Sequence, residues 1–228
     1  LLDLYIGIFK LCQKKWLKML PKLFNFKSLP KNNFFAPEWN YYIAEKNIDI
    51  DCKALSIFLK SKKKEILKLK PKTDGYTGLG KNSITARHHV FNIFTFKHKE
   101  LDKLKKEIIK FNKQLTKHFS LDYNKLYIKG WYNILKKGQS IKAHSHNLTP
   151  DSYLGGHFCL QCKDTSTYYI NPINQLNDPE VYKSKNINGK LTLFQNCIPH
   201  YTDTCSNERI TIAFDLDLIN NNTNQIKL

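Results

Sequence analysis

From Asp51 to Lys70, Leu55, Phe58, Leu59, Ile66 and Leu69 share one helical face, with lysines between them. Pro71 ends that helix. A second amphipathic run spans Leu101 to Phe119, where Leu104, Ile108, Phe111 and Leu115 repeat at i, i+4, i+7 and i+11. Between the two lie a Gly-rich loop, Thr73 to Gly80, and an alternating run, Thr85 to Phe96, that reads as a strand. After Ser120 the texture changes to short β-rich runs: Leu126–Leu135, Ile141–His146, Gly155–Gln161, Thr167–Asn171, Lys190–Phe194 and Arg209–Leu218. Lys137-Gly138 and Asn188-Gly189 mark turns. A helix-decorated first half followed by many short strands predicts a sandwich or jelly roll.

The length, 228 residues, fits one domain with an extension. A single domain is expected over 31–219, with helix-rich support over 31–120 and the β core over 121–219. Residues 1–30 read as an extension, non-native or disordered: the chain starts at Leu1, and Met19 is its one methionine. Leu1–Leu23 is apolar and basic like a surface helix, and it lacks a signal-peptide cleavage site. The Asn-rich end, 220–228, reads as a disordered tail. No run of 18 apolar residues exists, so no membrane-spanning helix is expected.

Net charge is +18, yet only two of the 37 basic residues are arginine, Arg87 and Arg209. Such a charge suits a polyanion partner, nucleic acid above all. Abundant Lys, Asn and Ile are equally what an AT-rich coding sequence produces, and that is the favoured reading. Six scattered cysteines do not make a secreted disulfide scaffold. Cys159 and Cys162 are spaced like half a zinc site, but on a strand residues three apart face opposite ways. Free thiols in a reducing compartment, the cytoplasm, are therefore expected. Gly75, Gly80 and Lys81 have phosphate-loop spacing, but Asn82 replaces the magnesium-binding hydroxyl and the flanking elements are reversed, which argues against a nucleotide site.

Three of the eight histidines form a pattern. His144 and His146 stand at i and i+2, which on a strand is one face, about 6.6 Å apart. Both can then reach one metal. His200 follows 56 residues after His144, and a neighbouring jelly-roll strand can return it to the same mouth. Three ligands on one face leave positions free for a chelating co-substrate and oxygen on iron. Arg209 and Thr211 share a strand face beyond His200. The guanidinium fork binds a carboxylate bidentately, and the hydroxyl can add a third hydrogen bond. The competing reading of Arg209 is a buried arginine paired with a core carboxylate.

His144-x-His146 … His200 … Arg209-x-Thr211 resembles the iron(II)/2-oxoglutarate-dependent oxygenases, whose motif is His-x-Asp/Glu … His … Arg-x-Ser. The runs Gly130–Asn133, Leu154–Phe158, Gly189–Phe194 and Arg209–Phe214 resemble strands of such oxygenases from marine bacteria and tailed phages. Asp74–Gly80 with Ser83, Thr85 and Arg87 resembles the phage members, and the whole likeness covers about residues 35–218. It implies a mainly β fold with flanking helices: a double-stranded β-helix (jelly-roll, cupin-like) core with an N-terminal helical layer. It implies Fe(II) on His144, His146 and His200, and 2-oxoglutarate with its distal carboxylate on Arg209 and Thr211. The activity implied is hydroxylation of a small-molecule or peptidyl substrate with release of succinate and CO2, in the cytoplasm, or the host cytoplasm if the source is viral.

One departure matters. His146 stands where the family has Asp or Glu, which keeps open a three-His cupin-like metal protein, or a dioxygenase that does not use 2-oxoglutarate. Asp151 is a weaker source of the missing carboxylate, past Pro150. His157 and Asn133 are expected to face the co-substrate cavity, with plain packing roles as the alternative. Tyr168 and Tyr169 read as sheet packing, and His98 and His118 as surface residues. Arg87, His88 and His89 read as structural, with a substrate-entrance role as their alternative. A basic nucleic-acid-binding jelly roll is the non-enzymatic reading.

Overall fold

The computed structural model describes residues 21–121, 125–146, 152–173, 180–220 and 224–228. Residues 1–20, Asp151 and part of the Asn-rich tail lie outside these, and with them most of the expected surface helix and the Asp151 ligand.

The chain runs β1 (Lys22–Lys27), β2 (Asn40–Asn47), α1 (Cys52–Leu67), two 3-10 turns (Thr85–Arg87 and Ile93–Thr95), α2 (Lys99–His118), then β3 (Tyr127–Leu135), β4 (Ser152–Gln161), β5 (Ser166–Ile170), β6 (Val181–Lys185), β7 (Lys190–Gln195), β8 (His200–Thr202), β9 (Arg209–Asp217) and β10 (Ile226–Lys227). A seven-stranded sheet has the order β1-β2-β7-β4-β9-β3-β10, and a three-stranded sheet the order β6-β5-β8, with antiparallel pairing throughout. The segment carrying His144 extends the small sheet. His144 N donates to His200 O at 3.1 Å and His200 N to His144 O at 2.9 Å.

Alternation along each strand assigns the two faces of the large sheet. Ile210, Ile212, Phe214 and Leu216 of β9 join Phe158 and Leu160 of β4 and Leu191 and Leu193 of β7 in the main core. Both helices pack their apolar stripes there through Leu55, Leu59, Leu104, Ile108 and Phe111. The intervening residues, among them His157, Phe194, Arg209 and Thr211, look toward the small sheet. Phe194, Tyr169 and Ile198 form a second cluster between the sheets. This is the jelly-roll core with helices on one face that the pattern predicts.

The helices start where caps allow. Asp51 accepts from Ala54 N at 2.9 Å and His98 from Glu100 N at 3.2 Å, each satisfying an otherwise orphaned amide. Glu100 and Asp102 in the first turn of α2, and Lys117 and His118 in its last, complement its dipole. Leu69 lies past the end of α1 and is exposed, so the helical face stops at Ile66.

Five expectations are corrected. Ile141–His146 do not form a strand; in that run only His144 bridges, to His200, and the other main-chain bonds are single contacts such as His146 N to Asn196 O. Thr85–Phe96 is not a strand but two 3-10 turns: Ile84–Arg87 and Phe91–Phe94 are buried in consecutive runs, which no half-buried strand does. Within the expected extension, Lys22–Lys27 form edge strand β1, registered on β2 from Lys22–Glu45 to Lys27–Asn40. Within the expected tail, Ile226 and Lys227 pair with Ile128 and Tyr127 of β3. The Cys159 and Cys162 thiols meet rather than diverge, because a register break between Cys159 and Gln161 interrupts the alternation.

Candidate metal centre

His144, His146 and His200 come together at one mouth of the barrel, each offering a nitrogen within 4.8 Å of the others. His200 opens β8 and His144 bridges it, while His146 N donates to Asn196 O at 3.2 Å, so main-chain bonds hold all three ligand positions.

The rings are oriented from behind. His144 Nδ1 lies 2.8 Å from Lys142 O, and His200 Nδ1 lies 3.1 Å from Ile198 O. A carbonyl can only accept, so each Nδ1 carries the proton and each Nε2 keeps a lone pair. His146 Nδ1 lies 2.5 Å from Asp215 Oδ1, a third acceptor in the same role. Burial first, then the neighbouring imidazoles, lower the basicity of His144 to a pKa of about 4, and the same causes push His200 well below the usual histidine range. Both are neutral at pH 7, the form that ligates a metal.

Past the histidines the interior face of β9 reads Asp215, Ala213, Thr211, Arg209. Opposite on β4 stand Gly155, His157 and Cys159, facing Asp215, Ala213 and Thr211 respectively. At the far end Arg209 is 3% exposed; Nη2 reaches Thr167 Oγ1 at 3.5 Å, while Nε and Nη1 have no acceptor among the described residues. A buried guanidinium with idle donors is costly unless something accepts from it. No carboxylate among the described residues accepts from it. The Cys162 thiol lies against Arg209; its bond to Cys159 and then the guanidinium lower its pKa, and that bond with burial raises that of Cys159.

Thr211 is buried beside Asn133, whose Nδ2 donates to it at 3.4 Å while Thr85 Oγ1 donates to Asn133 Oδ1 at 2.7 Å. His157 is fully enclosed; Nδ1 meets Tyr169 OH at 3.3 Å and Nε2 has no partner among the described residues. Burial, then Arg209, holds its pKa well below the ordinary value. Thr192 Oγ1 and Asn196 Oδ1 are orphaned as well. Between the histidines and Arg209 the described residues thus hold several polar atoms without partners among them, and the three convergent imidazole nitrogens suit a first-row divalent metal.

Outside the histidines opens a pocket of about 480 Å³. Its walls include Trp131, Lys129, His88 and His89. Arg87 is structural: it donates to the carbonyls of Leu67, Leu69, Lys81 and Ser83 at 2.7–3.2 Å, closing the end of α1. The Gly-rich loop supplies Thr73, Gly75 and Tyr76 as a further wall, and Thr77 O accepts from Lys142 N. Tyr169 packs between the sheets and Tyr168 stacks on Tyr201 at 4.8 Å, as expected. Sequence reasoning missed Asp215, although period two from Arg209 and Thr211 puts it on their face.

No family model matches this sequence, and no curated protein matches it. Solved structures do match. A Pseudomonas putida prolyl-4-hydroxylase superposes over 77% of this chain and 91% of its own, at TM-score 0.54 and 11% identity. A viral collagen prolyl hydroxylase from Paramecium bursaria Chlorella virus-1, in complex with 2-oxoglutarate, covers 77% and 96% at TM-score 0.48 and 13% identity. A 2OG-Fe(II) oxygenase family protein from Burkholderia pseudomallei covers 48% and 53% at TM-score 0.41 and 15% identity. The first likeness, at that identity, is one of fold; the other two overlaps are too loose to add to it. The chain thus shares its jelly-roll fold with the Pseudomonas putida prolyl-4-hydroxylase.

Proposed function

We propose that this chain is an iron(II)- and 2-oxoglutarate-dependent dioxygenase that hydroxylates a small-molecule or peptidyl substrate, with release of succinate and CO2. The observation that carries this reading is the pairing of two ends of one barrel. Three histidines converge within 4.8 Å at the mouth, and at depth lies a buried arginine with two nitrogens that have no acceptor among the described residues.

His144, His146 and His200 would hold the iron, which when bound would activate oxygen, the oxidant, with two of its four electrons coming from 2-oxoglutarate and two from the substrate. The protein's own part is orientation and exclusion of water. Lys142 O, Ile198 O and Asp215 aim the three rings. Arg209 and Thr211 would take the distal carboxylate, with Asn133 steadying the Thr211 hydroxyl and His157 lining the wall. Trp131, His88 and His89 would border the substrate. Incubation with Fe(II), 2-oxoglutarate and oxygen should yield succinate, and His200→Ala should abolish it. Equal succinate from that variant would refute the assignment.

His146 at the carboxylate position favours one rival, a three-His metal protein that does not use 2-oxoglutarate. Anaerobic addition of 2-oxoglutarate to the Fe(II) protein separates the two. Chelation gives a weak visible charge-transfer band; the rival gives none.

A further inference from the structure

We infer that Asp215 is a positioning residue for the metal centre: it holds His146 through Nδ1 and returns, from one bond further out, the negative charge that a histidine at position 146 withholds. The inference rests on the reading of the three histidines as metal ligands.

Three observations converge on it. Asp215 Oδ1 lies 2.5 Å from His146 Nδ1, whereas His144 and His200 are backed only by neutral carbonyls. His146 is thus the one histidine of the three with an anionic partner. Second, the space for the pair is built in. Gly155 stands directly opposite Asp215 in the β4–β9 register. A Cβ on Gly155 would sit 2.8 Å from His146 Nδ1 and 2.9 Å from Asn196 Oδ1, closer than side chains pack, so any other residue there would displace the imidazole. An aspartate at position 146 would need less room than this ring. Third, Asp215 is anchored on the strand that carries Arg209 and Thr211, with Lys129 of β3 opposite it as a countercharge.

The chemistry follows from charge. An all-imidazole ligand set leaves a divalent ion with its full +2, where a carboxylate ligand would reduce it to +1. A carboxylate hydrogen-bonded to the far nitrogen of a ligating imidazole fixes the ring and makes its lone pair a stronger donor. Asp215 does both for His146. It touches neither metal nor substrate in this role; it acts through the histidine.

The test is Co(II) binding, followed by visible absorption, in the full chain. Asp215→Asn keeps the shape and removes the charge, and should weaken Co(II) binding about 10- to 100-fold. Asp215→Glu should recover part of the loss. The decisive comparison is the His146→Asp background, where a carboxylate ligates directly. There Asp215→Asn should cost less than about threefold, because no imidazole remains for it to support. An Asp215→Asn protein that binds Co(II) as tightly as wild type would overturn the inference. So would an equal loss in both backgrounds, which would mark Asp215 as a direct ligand or a general support of the fold. A wild-type chain that binds no Co(II) would sink the metal reading itself, and the inference with it.

Discussion

The chain's two arginines are both buried, at 6% and 3% exposure, and differ in what their donors meet. Arg87 has four carbonyl acceptors; Arg209 has one hydroxyl contact and two idle nitrogens. Arg209→Lys should therefore weaken 2-oxoglutarate binding about 10- to 100-fold, since one ammonium cannot make the bidentate contact. Metal affinity should stay the same. Anaerobic calorimetry with each ligand checks this, and an unchanged co-substrate affinity would rule the clamp out. His157 carries a pH signature. Unfolded, it titrates near about 6.5; folded, burial and Arg209 hold it well below. Between those values the unfolded chain binds a proton that the folded chain refuses, so stability falls as pH drops through the window, by about 1.4 kcal/mol per pH unit. His157→Gln should flatten the fall in Tm between about pH 6.5 and 5. Parallel wild-type and variant curves would contradict a neutral, enclosed histidine.

At the scale of elements, the segment between the helices shows where pattern reading stops. Thr85–Phe96 alternates in sequence, but Asn92 takes over the work of a strand there. Its side chain donates to Ile128 O and Asn224 O at 3.0 and 2.8 Å and accepts from Gly130 N and Phe94 N at 3.0 and 3.1 Å. One buried amide thus ties the second 3-10 turn to β3 and to the chain's end. Asn92→Ala strips four main-chain groups of that partner and should cost about 2–4 kcal/mol, read as a lower urea midpoint with an unchanged slope. A loss below about 0.5 kcal/mol would mean that the turn holds by its apolar packing alone. Strand β9 was legible because it buries one face against the helices, so Ile210, Ile212, Phe214 and Leu216 alternate with residues of the other face. The bulge after Cys159 was not, because a single extra residue leaves no mark in a hydrophobicity pattern.

For the whole molecule, the lysines divide between helix surfaces and the pocket, whose wall holds Lys72 and Lys129. Lysines such as Lys60, Lys64 and Lys106 lie exposed on the outer sides of α1 and α2, away from the barrel mouth. No helix among the described residues is long and apolar enough to cross a membrane. Filling the metal centre should stabilise the entire fold, since its three ligands come from two segments far apart in sequence. At a metal concentration of 100 times Kd the gain is about 2.7 kcal/mol, or roughly 5–10 °C in Tm for a domain of this size. EDTA should reverse it, and His144→Ala/His146→Ala should abolish it. A metal-dependent shift that survives in that double variant would place the ion elsewhere.

Sequence alone determined the jelly roll with its helical layer, and it singled out the three histidines that the fold brings within 4.8 Å of one another. Those features rest on local period and residue type: alternation against a core, and two histidines two residues apart, which stay together although the segment carrying them makes only a single bridge to His200 and not the expected strand. Only the tertiary structure decided which partners the groups meet. Asp215 lies 69 residues from His146, and Gly155 makes space for their contact from the neighbouring strand β4. Edge strands β1 and β10 likewise exist because β2 and β3 offer open backbone donors and acceptors to short segments with little strand signal of their own. Contacts closed over such separations depend on the register of the sheet as a whole, and no local window of sequence records it.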